Sequence, residues 1–231
     1  MSRIGGIHTF EDKRFLSNTA RMSGVVFAGG AALAVVLFVA LGALAPTALD
    51  PAFRGLWVPG GGSGASEALW LLGIGVGSLA SLVLHEAVHA VFFKVFAPHG
   101  AHVTFGANWK LGMLYACAEG IVYPRRRYIV IALAPSIVVT AVALAAGWVS
   151  GNPLGGCAVA VTHLAGCTGD WGYLSAIRAN PRIAFCEDTS WGVAFYDEHG
   201  PSKVEDEEVS VASEDAPASR AADMDASHRA E

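Results

Sequence analysis

Four long apolar stretches dominate the chain: Gly24–Ala45, Ala68–Phe96, Tyr128–Val149 and Cys157–Ile177. Each reaches the ~20 residues that a helix needs to cross a hydrocarbon core of ~30 Å. The pattern therefore predicts an all-α integral membrane protein built as a four-helix transmembrane bundle. Between the second and third stretches, the extended runs His102–Phe105 and Leu111–Cys117 flank a turn signal at Gly106-Ala107-Asn108, which predicts a small β-hairpin dipping towards the interior. After the fourth stretch, "EDTSWGVAFYDE" predicts two short strands around Trp191-Gly192, a short cytoplasmic β segment.

Composition agrees with a membrane protein. Hydrophobic residues make up 53% of the 231 positions, charged residues only 15%, and the mean hydropathy is +0.46, outside the range of ordinary soluble domains. The net charge of −5 divides unevenly. Residues 201–231 hold nine acidic and three basic side chains, leaving +1 on residues 1–200; a polar, acidic stretch of that kind predicts a disordered tail. Basic residues cluster before the first stretch (Arg3, Lys13, Arg14, Arg21), between the second and third (Lys110, Arg125, Arg126, Arg127) and after the fourth (Arg178, Arg182). Because basic loops stay in the cytoplasm, both termini are expected there. The organisation expected is a cytoplasmic N-terminal segment over 1–23, a transmembrane core over 24–178, a small cytoplasmic cap over 179–200 and the acidic tail over 201–231. No nucleic-acid motif is present, and the lipid bilayer is the partner the composition implies. Under this topology Cys117 and Cys186 are cytoplasmic, Cys167 is buried in the membrane and Cys157 lies at the outer edge of the fourth stretch, so no two share an oxidising compartment and no disulfides are expected.

Charge-capable groups at membrane depth are costly and usually functional. The second stretch nevertheless contains His85-Glu86-Ala87-Val88-His89. Residues four apart share a helix face, so both imidazoles can reach one Zn²⁺ with Glu86 beside it as the catalytic base. Two satisfied core histidines with a paired glutamate would be the bland reading, but all three groups would then need partners in hydrocarbon. The fourth stretch offers His163 and Asp170. His85 and His89 lie eleven and seven residues before Phe96, and Asp170 lies seven before Ile177, so at 1.5 Å per residue the two sets share a depth roughly 10–16 Å from one end. Asp170 is thus the candidate third ligand, while His163 lies at another level. Gly73, Gly77 and Ser81 precede His85 at intervals of four, a small-residue stripe that lets a neighbouring helix approach the histidine face.

With "HEAVHA", "GMLYACAEGIVYPRRRYIVIALAP", "HLAGCTGDWGYLSAIRANP" and "EDTSWGVAFYDE" in this order, the stretch from Ala68 to Glu198 resembles a family of membrane zincin peptidases related to the site-2 protease clan of intramembrane zinc metalloproteases. The clan's longer signature ends in Leu-Asp-Gly, where this chain has Thr168-Gly169-Asp170-Trp171. The resemblance implies a zinc metalloendopeptidase of the HExxH type acting on membrane-protein or transmembrane-peptide substrates. His85, His89 and Asp170 would be its metal ligands and Glu86 its base, with His163 a substrate-orienting residue or a hydrogen-bonding group at the helix interface. A non-catalytic protease-like scaffold or a metal-binding membrane protein is the other class the residues allow.

Overall fold

A computed structural model describes residues 1–54, 64–98, 102–108 and 113–198; the predicted acidic tail lies outside them. The order of elements is β1 (Ser2–His8), α1 (Lys13–Leu44), α2 (Pro51–Arg54), α3 (Gly64–Phe96), β2 (Thr104–Asn108), β3 (Met113–Cys117), β4 (Val122–Pro124), α4 (Arg125–Val149), α5 (Pro153–Gly166), α6 (Thr168–Ala179), β5 (Phe185–Thr189) and β6 (Gly192–Asp197).

The protein is mostly helical, and α1, α3 and α4 are long and apolar enough to cross a membrane. Their outer faces expose large apolar side chains, among them Leu33, Val36, Leu72, Leu79, Ile137 and Val142. A helix in water hides one apolar stripe, whereas these present apolar surface outward, as lipid-facing helices do. Helix α1 starts eleven residues before the apolar run that predicted it. Its first turns are polar, and Asp12 caps them by accepting from the Arg14 and Phe15 amides at 2.9 and 3.0 Å.

The four-helix bundle needs correction. The fourth stretch is not one membrane-length helix but two, α5 and α6, of 14 and 12 residues, interrupted at Cys167. The Cys167 amide is shared between the carbonyls of His163 and Leu164. The Thr168 hydroxyl turns back to the Ala165 carbonyl and meets Ser23 of α1, whose own hydroxyl donates to the same carbonyl at 2.7 Å. Side chains thus take over groups that an unbroken helix would pair along its axis. Helix α5 packs closely on α4, where a Cβ on Gly147 would lie 2.5 Å from the Gly156 Cα.

The predicted hairpin exists as β2 paired antiparallel with β3, but its turn is misplaced: Gly106, Ala107 and Asn108 belong to β2. Gly106 sits opposite Tyr115, and the space a Cβ would take is filled by the Tyr115 ring, so this glycine seats an aromatic instead of bending the chain. The strands around Trp191-Gly192 form as predicted, yet β5 and β6 belong to a four-stranded antiparallel sheet in the order β1-β6-β5-β4. Gly192 has φ +142°, and a Cβ there would stand 2.1 Å from the Ile7 carbonyl oxygen, so the β1–β6 contact requires glycine.

This sheet covers the ends of the helices that carry the basic residues. Strand β1 leads into α1, β4 into α4, and α6 into β5. The Arg127 guanidinium reaches the carbonyl of Phe96 at the end of α3. The principal core lies at that junction, where Phe93, Tyr123, Tyr128, Ile131, Leu174, Ile177, Cys186 and Val193 pack together. At the opposite end, the fully buried Asp50 carboxylate accepts from the Leu154 and Gly155 amides in the first turn of α5 and from the Trp70 indole, at 2.8, 2.9 and 2.8 Å. An anion there satisfies amides that a helix start leaves unpaired.

Candidate metal centre

One turn of α3 separates His85 from His89, and both rings leave the same face, with centroids 4.7 Å apart. That face meets α5 and α6. A Cβ on Gly77, two turns before His85, would touch Val159 of α5 at 2.9 Å, so the small-residue stripe admits the neighbouring helix; Gly73, further along, has open space beside it. In α6, Asp170 occupies the first turn and its carboxylate faces the two histidines.

Three potential ligand side chains converge. His85 Nε2 lies 3.1 Å from His89 Nε2 and 3.2 Å from Asp170 Oδ2, and His89 Nε2 lies 3.5 Å from Asp170 Oδ1. Ligand atoms held about 2.0–2.2 Å from a tetrahedral Zn²⁺ are about 3.3–3.6 Å from one another. Two imidazole nitrogens and a carboxylate with one oxygen towards each of them, at nearly this spacing, suit such an ion. The three groups belong to one potential metal-binding cluster.

Glu86, next along the helix, lines the same cavity of about 600 Å³. Its carboxylate accepts the Ala116 amide of β3 at 2.6 Å. The hairpin is therefore tied to the motif by its backbone, along the edge of β3 that faces away from β2. In an antiparallel ladder the N–H and C=O groups of alternate residues share an edge, so those of Leu114 point the same way as those of Ala116.

His163 is not at a separate level. It is 2% exposed, and its Nε2 lies 3.1 Å from His85 Nδ1, on the opposite side of that ring from the three-donor cluster. Its own Nδ1 is 3.3 Å from the Thr140 hydroxyl of α4. Equal rises per residue did not place it correctly because the fourth stretch is interrupted at Cys167, between His163 and Asp170.

Several neighbours carry no local sequence signal. Cys167 Sγ stands 3.6 Å from His163 Nε2 and 3.7 Å from His85 Nδ1. Its position at the helix interruption brings it there, and no cysteine pair marks it in the sequence. From the sheet, Asp188 lines the cavity and accepts the Tyr128 hydroxyl at 2.9 Å. Burial pushes its carboxyl up to about 7, with the Asp170 and Glu86 charges acting in the same direction and the Tyr128 and His89 contributions opposing. The N-terminal stretch forms another wall: Thr9 hydrogen-bonds Tyr173, Phe15 stacks on Tyr173 with centroids 5.4 Å apart, and Phe10 packs by Tyr115.

A family described as "Putative zincin peptidase" matches residues 78–185. That stretch contains His85, Glu86, His89, His163 and Asp170 together with the hairpin between α3 and α4. The match supports the zincin part of the sequence reading and a metallopeptidase class, and the class in turn implies zinc. Neither a curated protein nor a solved structure matches the chain.

Proposed function

We propose that the protein is an intramembrane zinc metalloprotease, related to the site-2 protease clan, that hydrolyses peptide bonds in or near transmembrane segments of membrane-protein substrates. The observation that carries this reading is the convergence of His85 Nε2, His89 Nε2 and the Asp170 carboxylate at 3.1–3.5 Å, with Glu86 in the same cavity, among helices of membrane length. His85, His89 and Asp170 would hold the zinc, which when bound supplies the Lewis acid that activates water and polarises an amide carbonyl.

The chain's own residues account for the remaining roles. Glu86 is oriented by the Ala116 amide and serves as the proton carrier, accepting from the attacking water and returning the proton to the leaving amine. A peptide bond inside a helix is shielded, so a transmembrane substrate has to unwind before it is cut. The outward edge of β3 at Leu114 and Ala116 gives such a segment a strand to pair with. That position explains why the hairpin is tied to Glu86. The site is eleven residues from the end of α3 that carries the sheet and the basic residues, which supports a membrane location with the N-terminal segment and the sheet on the cytoplasmic side.

The decisive experiment is Glu86→Gln in the full chain, purified in detergent and reconstituted with a model transmembrane substrate. Zinc content should match wild type while cleavage falls by ~10²–10⁴-fold. Cleavage at the wild-type rate with metal retained would reject the mechanism, whereas bound metal without cleavage in the wild-type protein would favour a metal-binding scaffold.

A further inference from the structure

The proposed zinc site needs His85 in one particular tautomer. To present an unprotonated Nε2 towards His89 and Asp170, a neutral imidazole must carry its proton on Nδ1, and a buried N–H needs an acceptor. His163 Nε2 lies 3.1 Å from that atom. If it accepts, the His163 proton must be on Nδ1, where the Thr140 hydroxyl stands 3.3 Å away. The direction of the whole chain is then fixed, from His85 through His163 to Thr140, one helix to the next. Reversing it puts a proton on His85 Nε2, facing the metal position, and a hydroxyl is able to partner either state.

Resting on the zinc reading, we infer that His163 is a positioning residue: it accepts the His85 Nδ1–H and, backed by Thr140, holds His85 with its Nε2 lone pair turned to the metal. Groups that anchor a ligating histidine through its distal nitrogen commonly change metal affinity 10–100-fold when removed. His163 is well placed for this, being almost fully buried and borne on α5, which Asp50 pins at one end and α4 packs along one side. Cys167 also approaches His85 Nδ1 and His163 Nε2, at 3.7 and 3.6 Å, and the three could in principle hold a second cation. Such an ion would need His85 deprotonated at both nitrogens, whereas one proton between the two rings satisfies the 3.1 Å approach.

The test uses the full chain in detergent, stripped of metal and titrated with Zn²⁺ against a chelator and with Co²⁺ followed by its visible spectrum. Wild type should bind one ion. His163→Leu, which keeps an apolar side chain of similar bulk but cannot accept, should bind ~10–100-fold more weakly with an altered Co²⁺ band. His163→Gln, whose carbonyl can accept, should recover most of that affinity. Thr140→Val should show a smaller loss in the same direction, and it carries the test alone if the leucine variant cannot be purified. Wild-type affinity in His163→Leu, or in Thr140→Val when that variant stands alone, overturns the inference. So does equal loss in the leucine and glutamine variants, which would mark a packing role. Two ions in wild type, falling to one in Cys167→Ser, would assign a second cation site in its place. No metal in wild type would defeat the zinc reading itself, a result distinct from all of these.

Discussion

Two carboxylates inside this apolar protein are treated in opposite ways. Asp50 is fully buried, and three donors aim at it: the Leu154 and Gly155 amides and the Trp70 indole. Asp170 faces His85 Nε2 and His89 Nε2, which also face each other at 3.1 Å, while His89 Nδ1 is buried without a hydrogen-bond partner among the described residues. The first cluster is complementary as it stands; in the second, with both Nε2 atoms unprotonated as the zinc reading requires, a carboxylate and two ring nitrogens face one another with no proton between them. Leaving buried polar groups poorly paired costs ~1–3 kcal/mol each, so a fold keeps such a group only where something else is gained. The contrast supports reading Asp50 as a structural pin for α5 and accords with the proposal that the Asp170 cluster holds a cation.

Exchanging the two acids should therefore produce different failures. Asp170→Ala removes one of three proposed ligands, so metal affinity should fall by more than the ~10–100-fold typical of outer partners, while the melting temperature of the metal-free protein changes little. Elemental analysis and thermal melts of one preparation read both quantities. Unchanged zinc would remove Asp170 from the site.

Asp50→Ala should do the reverse. It leaves three donors unpaired, the Leu154 and Gly155 amides at the start of α5 and the Trp70 indole of α3, a loss of about 2–4 kcal/mol, seen as a lower melting point, with metal stoichiometry kept in the protein that remains folded. Loss of metal without loss of stability would mean that Asp50 acts on the site at a distance, and the contrast between the two clusters would fail.

What the sequence revealed follows the same division between local and distant physics. The meeting of His85, His89 and Asp170 was legible because it depends on two local rules, four residues per shared helix face and 1.5 Å per residue of depth. Helices α3 and α4 were legible from apolar length alone. The interruption at Cys167 was not, since the Thr168 and Ser23 hydroxyls that accompany it come together only in the folded state. Strand β1 was hidden twice. Its Gly5-Gly6 pair weakens the strand signal, and a register shift between Arg3 and Gly5 breaks the alternation, so that Ile4 and Ile7, three apart, both pack on the core. Its partner β6 lies almost the whole described chain away. Gly106 misled for a related reason: a glycine beside Asn108 reads as a turn until the cross-strand Tyr115 ring is placed over it. Asp50 and Asp188 were unreadable because their partners, α5 and Tyr128, are set by tertiary packing.

Asp188 stands between the two types, and the effect expected of it is seen only as pH changes. It accepts one hydrogen bond, from Tyr128, and lines the cavity of Glu86 and Asp170 without touching either. Burial raises its carboxyl to about 7 in the folded protein, whereas an unfolded chain ionises it near ~3.9. Between those values the folded state holds a proton that the unfolded state has released, so this residue's contribution to stability is complete below about pH 4, declines as pH rises to about 7 and is constant above. Asp188→Asn removes the titration but can still accept from Tyr128. In metal-free protein the variant's melting point should therefore gain on wild type across that window and hold the gain at higher pH. A difference that is flat from pH 4 to 8 would show that Asp188 is ionised in the fold throughout, and would place it with Asp50 among carboxylates whose partners fully satisfy them.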